Sequence, residues 1–219
     1  SSMFYGAVFV HDGSSGNLLY TLSDNIVNSF FGSSIAALGD VNGNNVPDFA
    51  VGAYTLSNVG RVYLYDGSGY LINQINPSSG RQFGYSLNSA SDLNGDLIQD
   101  ILVGDNYYNT NFVGRAYVYS GAPPNPLIYN FAGTGAVQGL FGEKVVGNFD
   151  FNLDGTSDVA VSGSGGIPFF GFIQIFSGLN GQIINQLVGS TILGAFGADV
   201  EVADVNGDSY PDIVVAYQG

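Results

Sequence analysis

The 219-residue chain has no cysteine, one histidine and only four basic residues, and each scarcity removes a class of chemistry. Without cysteine there is no disulfide framework, no thiolate metal site and no thiol nucleophile. One histidine, His11, and one lysine, Lys144, leave few general bases or nucleophiles for catalysis. The cations Arg61, Arg81, Arg115 and Lys144 stand against 18 acidic residues, for a formal charge of −14. Such a surface repels a phosphate backbone, which excludes nucleic acid as a partner. No apolar run approaches the roughly 18 to 20 residues that span a bilayer, and the opening SSMFYGAVFV lacks the basic region of a signal peptide. The expectation is a soluble chain with no membrane insertion. There is no Asn-x-Ser/Thr glycosylation acceptor.

What the chain does have is 33 Gly, 14 Tyr and 16 Phe, a composition of short strands and tight turns, so the fold class is all-β. At this length one domain, residues 1–219, is the default. The sequence also repeats. Four segments begin with Phe-Gly and end in a β-branched run: FGSSIAALGDVNGNNVPDFAVGAY from Phe31, FGYSLNSASDLNGDLIQDILVGDN from Phe83, FGEKVVGNFDFNLDGTSDVAVSGS from Phe141 and FGADVEVADVNGDSYPDIVVAYQ from Phe196. After the first three come two alternating strands around a Gly-rich hairpin turn, starting at Gly60, Gly114 and Gly171. The fourth copy reaches Gly219 without such a hairpin, whereas an equivalent one, GAVFVHDGSSGNLLYTL, starts at Gly6. The chain therefore reads as four circularly permuted units of propeller-blade length. The prediction is a β-propeller of four four-stranded antiparallel blades, the last completed by the N-terminal hairpin, with closure within one chain or by exchange with another.

Each copy carries an acidic nine-residue loop. Positions 1, 3, 5 and 9 are Asp40, Asn42, Asn44 and Asp48; Asp92, Asn94, Asp96 and Asp100; Asp150, Asn152, Asp154 and Asp158; and Asp204, Asn206, Asp208 and Asp212. All sixteen bear a side-chain oxygen. Oxygens at alternate positions of a tight loop suit a hard cation that takes six to eight of them, which points to Ca²⁺, up to four per chain, with position 7 (Val46, Ile98, Thr156, Tyr210) adding a backbone carbonyl. Zinc or copper would call for His or Cys. The helix-loop-helix calcium hand needs a bidentate Glu at position 12, where this chain has Val51, Val103, Val161 and Val215. The competing reading is that Asp, Asn and Gly simply make good turns. Fourfold recurrence, with Asp at positions 1 and 9 and Asn at position 3 each time, weighs against it. The loops hold 11 of the 18 acidic residues, and four divalent ions would bring the formal charge from −14 to −6.

Phe-Gly, an acidic loop and an apolar strand ending as VGAYT, VGDNY, VSGSG or VAYQG together resemble FG-GAP repeats, the calcium-binding propeller of integrin α-subunit heads and related secreted proteins. The resemblance covers nearly the whole chain. It implies Ca²⁺ held by the sixteen residues above on one face of the disc, although members of this family commonly have seven blades. The function expected is a non-enzymatic, extracellular, calcium-stabilised propeller. It would act in adhesion or as a structural subunit of a surface assembly or filament, and its partner would be a protein or glycan ligand or further copies of itself. The alternatives are a carbohydrate- or lipid-active enzyme module and a ligand-binding adhesion head. His11 aligns with Tyr65, Tyr119 and Phe176 and is expected to fill a strand position, and Lys144, beside Glu143, to make a surface pair. GGIPFFGF (165–172), NYYNTNF (106–112) and APPNP (122–126) are expected to serve in packing or recognition.

Overall fold

Each repeat copy folds as the alternation of its residues requires. In VYLY of the first copy, Val62 and Leu64 point to one face of the strand and Tyr63 and Tyr65 to the other, and both faces are covered. The computed structural model describes residues 6–55, 59–80, 82–107, 113–133, 139–165, 170–190 and 195–218. Arg81, Phe169 and residues 108–112 of the second aromatic segment lie outside these. The described residues form sixteen strands: β1 (Val8–His11), β2 (Leu18–Leu22), β3 (Phe31–Ala37), β4 (Phe49–Ala53), β5 (Arg61–Tyr65), β6 (Leu71–Ile75), β7 (Ser86–Ala90), β8 (Asp100–Asp105), β9 (Arg115–Tyr119), β10 (Leu127–Ala132), β11 (Lys144–Phe149), β12 (Asp158–Gly163), β13 (Phe172–Phe176), β14 (Ile183–Val188), β15 (Ala195–Ala203) and β16 (Asp212–Gln218). Among them, no helix is long and apolar enough to cross a membrane.

Strands β3–β6, β7–β10 and β11–β14 make three antiparallel four-stranded sheets. The fourth unit differs from the expectation. β15–β16 and β1–β2 are separate two-stranded sheets, and β16 is not hydrogen-bonded to β1. The hairpin nonetheless sits where an outer strand pair belongs. Val8, Val10 and Leu22 pack against Phe31, Val51 and Tyr63 of the first complete sheet. Tyr20 donates its hydroxyl to the Gly67 carbonyl at 2.8 Å, as Tyr129 does to Gly178 at 2.9 Å two sheets further on. The core is therefore divided into four clusters, one at each junction between successive sheets. The innermost strands β3, β7, β11 and β15 line a central cavity of about 870 Å³.

The Phe-Gly pair has a physical reason. Phe31, Phe83 and Phe141 are buried against rings of the third strand of their own sheet, with centroids 5.4, 5.5 and 6.0 Å from Tyr63, Tyr117 and Phe172. The following glycines, Gly32, Gly84, Gly142 and Gly197, all have φ between +85° and +90°, a backbone conformation that a side chain resists. The glycine that opens each third strand meets a different demand. A Cβ on Gly6, Gly60, Gly114 or Gly171 would come within 1.7–2.0 Å of the carbonyl oxygen of the Phe that starts the next copy. Neighbouring sheets touch backbone to backbone there.

Candidate metal centres

Each acidic loop joins the first and second strands of its sheet, and all four adopt one conformation. Positions 4 and 6 have positive φ in every copy: Gly43 and Asn45, Gly95 and Leu97, Leu153 and Gly155, Gly207 and Ser209. Leu97 and Leu153 adopt this conformation without the tolerance of glycine or asparagine, so it is imposed by the surrounding bonds. Sequence reasoning passed over these positions, although the recurrent Gly at position 4 or 6 is a readable sign of them.

The imposing bonds come from the expected ligand side chains. At position 1, Asp40 accepts from the backbone N–H of Gly43 and Asn45 at 2.7 and 2.6 Å, Asp92 and Asp204 hold their loops likewise, and Asp150 accepts from Asp154 and Gly155. At position 3, Asn42, Asn94, Asn152 and Asn206 each accept the position-5 N–H at 2.8–3.0 Å. At position 5, Asn44, Asp96, Asp154 and Asp208 accept the N–H of Val46, Ile98, Thr156 and Tyr210 at 2.7–2.9 Å. At position 9, Oδ2 of Asp48, Asp100, Asp158 and Asp212 accepts the N–H of Val41, Leu93, Phe151 and Val205 at 2.7–3.0 Å, which closes the loop. The position-12 valines lie inside β4, β8, β12 and β16, as a loop ending at position 9 requires.

The remaining oxygen of the ninth residue decides what the loop can take. Oδ1 of Asp100 and of Asp158 accepts the N–H of Gly121 and of Gly178, from the hairpin of the same sheet, at 3.3 and 3.1 Å. Oδ1 of Asp48 is buried and, among the described residues, has no hydrogen-bond partner. Burial, aided by the like charges of Asp96 and Asp92, pushes the Asp100 carboxyl up to about 6. Asp48 and Asp158 are raised for the same first reason, with Asp40 and Asp154 as their charged neighbours. In contrast, the Ser209 N–H and those of Gly207 and Asp208 hold Asp204 below the ordinary carboxylate range. Amide groups approach the carboxylates: Asn94 Nδ2 lies 3.5 Å from Asp100 Oδ1, Asn206 Nδ2 3.5 Å from Asp212 Oδ1, and Asn152 Nδ2 3.0 Å from Asp154 Oδ2. Position 3 thus lies beside position 9 in the second and fourth loops and beside position 5 in the third. Among the described residues no three His, Cys, Asp or Glu side chains are gathered as a metal cluster; each loop mixes carboxylates with amides and turns much of its oxygen toward its own N–H groups. A buried carboxylate oxygen without a proton donor, in an all-oxygen donor set, fits a hard divalent cation.

Elsewhere, His11 fills the last position of β1, and its Nδ1 lies 3.0 Å from the Gly16 carbonyl. Lys144 pairs with Asp199 on β15 at 3.1 Å, across a sheet junction and not with its neighbour Glu143. Phe30, Tyr54 and Tyr85 form a row at the central cavity, with ring centroids 4.9 and 5.1 Å apart.

Comparison with known proteins places these loops in context. The FG-GAP repeat model matches residues 31–65, which include the first loop, and the FG-GAP-like repeat model matches residues 150–215, which include the third and fourth. The chain is 29% identical to integrin alpha-5 of Xenopus laevis over 218 residues, covering 87% of this chain and 20% of that protein. It is 28% identical to integrin alpha-4 of Xenopus laevis over 229 residues, covering 96% and 22%. A shorter match, 40% over 83 residues, links it to integrin alpha-7 of Homo sapiens, covering 35% and 7%. The chain spans about a fifth of the length of the first two relatives. Among solved structures, the Dos1 propeller superposes with a TM-score of 0.54 at 15% identity, covering 85% of this chain and 43% of that one, and so shares its fold.

Proposed function

From the premise that the chain is an FG-GAP repeat protein of integrin-α-like sequence, we propose that residues 1–219 form a single calcium-binding β-propeller domain, extracellular and non-enzymatic, acting in adhesion or as a structural subunit of a surface assembly. The observation that carries the calcium reading is the buried, donor-less Oδ1 of Asp48 in a loop whose oxygen pattern recurs three more times. The residues that would hold calcium are Asp40, Asn42, Asn44 and Asp48 and their counterparts in the other loops, with the position-7 carbonyls. Bound calcium supplies charge neutralisation where two or three carboxylates crowd a strand mouth. The chain's own part is to hold them there: position 1 folds the loop around itself, and position 9 ties it to the second strand through Oδ2.

Terbium luminescence tests this reading, since Tyr210 occupies position 7 of the fourth loop and can sensitise an ion held beside it. The expected result is emission that grows with terbium, is competed away by calcium and is reduced in Tyr210→Phe. Absence of both emission and calorimetric heat with calcium would remove the proposal. A protein or glycan ligand finds support in the row Phe30, Tyr54 and Tyr85 at the central cavity, an aromatic surface of the kind such ligands stack on. Tyr54→Ala would then lose ligand capture while keeping its melting temperature.

A further inference from the structure

The two half-sheets at the ends of the chain are each complete on one side and bare on the other. β15–β16 packs on the β11–β14 sheet through Val200, Ile213 and Val215. Its other face is open: Val214 is 50% exposed, whereas its counterparts Ala50, Leu102 and Ala160 are at most 1% exposed. Val205 is 66% exposed where Val41 is 2% exposed. β1–β2 packs on the β3–β6 sheet and is bare behind, with Phe9 62% exposed where Tyr63, Tyr117 and Gln174 are at most 6% exposed. Among the described residues β1 and β16 each have one strand neighbour, so each presents a free edge.

What one end lacks, the other supplies. Between the hairpin and the first sheet lies an apolar cavity of about 400 Å³, lined by Val8, Val10, Ile35, Pro47 and Phe49. Their counterparts at the next junction, Val62, Leu64, Leu87 and Ile101, are closed over by Val41 and Ala50. The residues equivalent to Val41 and Ala50 in the fourth unit are the uncovered Val205 and Val214. The hairpin turn tells the same story independently. A Cβ on Gly67, Gly121 or Gly178 would lie 2.8, 1.9 or 1.8 Å from the position-8 carbonyl oxygen of its sheet's acidic loop, whereas the equivalent Gly13 has nothing within 4 Å. Asp212 is likewise the one ninth-position aspartate that is not buried.

We propose that β16 of one chain receives β1 of a second copy, head to tail, so that β15–β16 and the incoming β1–β2 form one four-stranded sheet. The register follows from the three complete sheets. Each pairs its second and third strands as Phe49 with Tyr65, Ala50 with Leu64 and Val51 with Tyr63. The junction therefore pairs Ile213 with His11, Val214 with Val10 and Val215 with Phe9, seats Gly13 on the Pro211 carbonyl and fills the 400 Å³ cavity with Val205 and Val214. Closure within one chain is opposed by the inner strands. A Cβ on Gly52 or Gly104 would already lie 2.2 or 2.1 Å from the Gly84 or Gly142 carbonyl, so the sheets pivot on backbone contact. Bending them further toward a ring would spread the outer strands and open the junction clusters. The contact is heterologous, so it propagates or closes a ring according to its rotation.

The inference deepens the assembly side of the proposed function and does not depend on calcium. Because the chain has no cysteine, Phe9→Cys and Val215→Cys proteins can be mixed and oxidised with no background. The expected product is a disulfide-linked pair of twice 22.9 kDa joining position 9 of one chain to position 215 of the other. Pairing Phe9→Cys with Val214→Cys, one residue out of register, should give several-fold less. No mixed disulfide, or a disulfide formed only within the doubly substituted chain, overturns the proposal. So does a native mass of 22.9 kDa for the unsubstituted protein at every concentration, a measurement that needs no variant to fold. The cross-link is read in calcium and in chelator. If it forms in both, exchange between copies holds even where the calcium reading fails.

Discussion

At Gly114 a single methyl group would land 1.7 Å from the Phe141 carbonyl oxygen, inside the contact that spaces the second and third complete sheets. Gly114→Ala is therefore expected to destabilise the protein by about 3 kcal/mol, measured by urea unfolding, since backbone must move on both sides of the junction. The need for glycine here was not legible in the sequence. Gly60, Gly114 and Gly171 read there as the start of a hairpin, because periodicity reports the strand a residue belongs to and not which backbone passes over it. The oxygen pattern of the loops was far more legible. Four identical spacings of oxygen-bearing side chains can be read without coordinates, and the structure puts position 3 beside position 9 in the second and fourth loops and beside position 5 in the third. That position 1 would spend its oxygens on the loop's own N–H groups could not be read, because every Asp in a turn has that option.

At the scale of the acidic loop, the raised carboxyls set a pH dependence. Asp48, Asp100 and Asp158 hold protons more tightly in the folded chain than the ordinary carboxylate does, Asp100 at about 6. A folded-state pKa above the unfolded one means that stability falls as pH rises through it, so acidification relieves the strain. In chelator, the melting temperature should rise as pH falls from 7, the gain beginning near pH 6 and growing toward about pH 4. Asp40, Asp96 and Asp204, which are lowered, lose their contribution only below about pH 4, where the trend reverses. Saturating calcium should flatten the profile between pH 5 and 7. At the scale of the hairpin, Gly13→Ala meets nothing within its own chain. Its melting temperature as an isolated chain should be unchanged, while association between copies, followed by sedimentation, should weaken by about tenfold or more as the methyl group meets the Pro211 carbonyl.

At the scale of the molecule, the four repeats and the strand order within each sheet follow from hydrophobic alternation and turn glycines, and three complete sheets are as the sequence predicts. The fourth was legible only as two matching halves. Repetition fixes that a β13-like hairpin belongs beside β16, yet it carries no information on the angle between sheets. Whether a ring closes is a property of that angle. The acidic composition acts at this scale as well: at a formal −14 the chain repels itself, a repulsion that divalent cations in the loops would relieve.

If four loops hold divalent cations and thereby pin the mouths of the sheets, the melting temperature must differ with and without calcium. Each site should add about 1.4 kcal/mol for every tenfold excess of calcium over its dissociation constant, and for a chain of this size 1 kcal/mol moves the midpoint by about 2–4 °C. Millimolar calcium should therefore raise the midpoint by several degrees over chelator, with a rise that continues as calcium increases. An identical midpoint in calcium and in chelator would mean that the loops hold no stabilising ion.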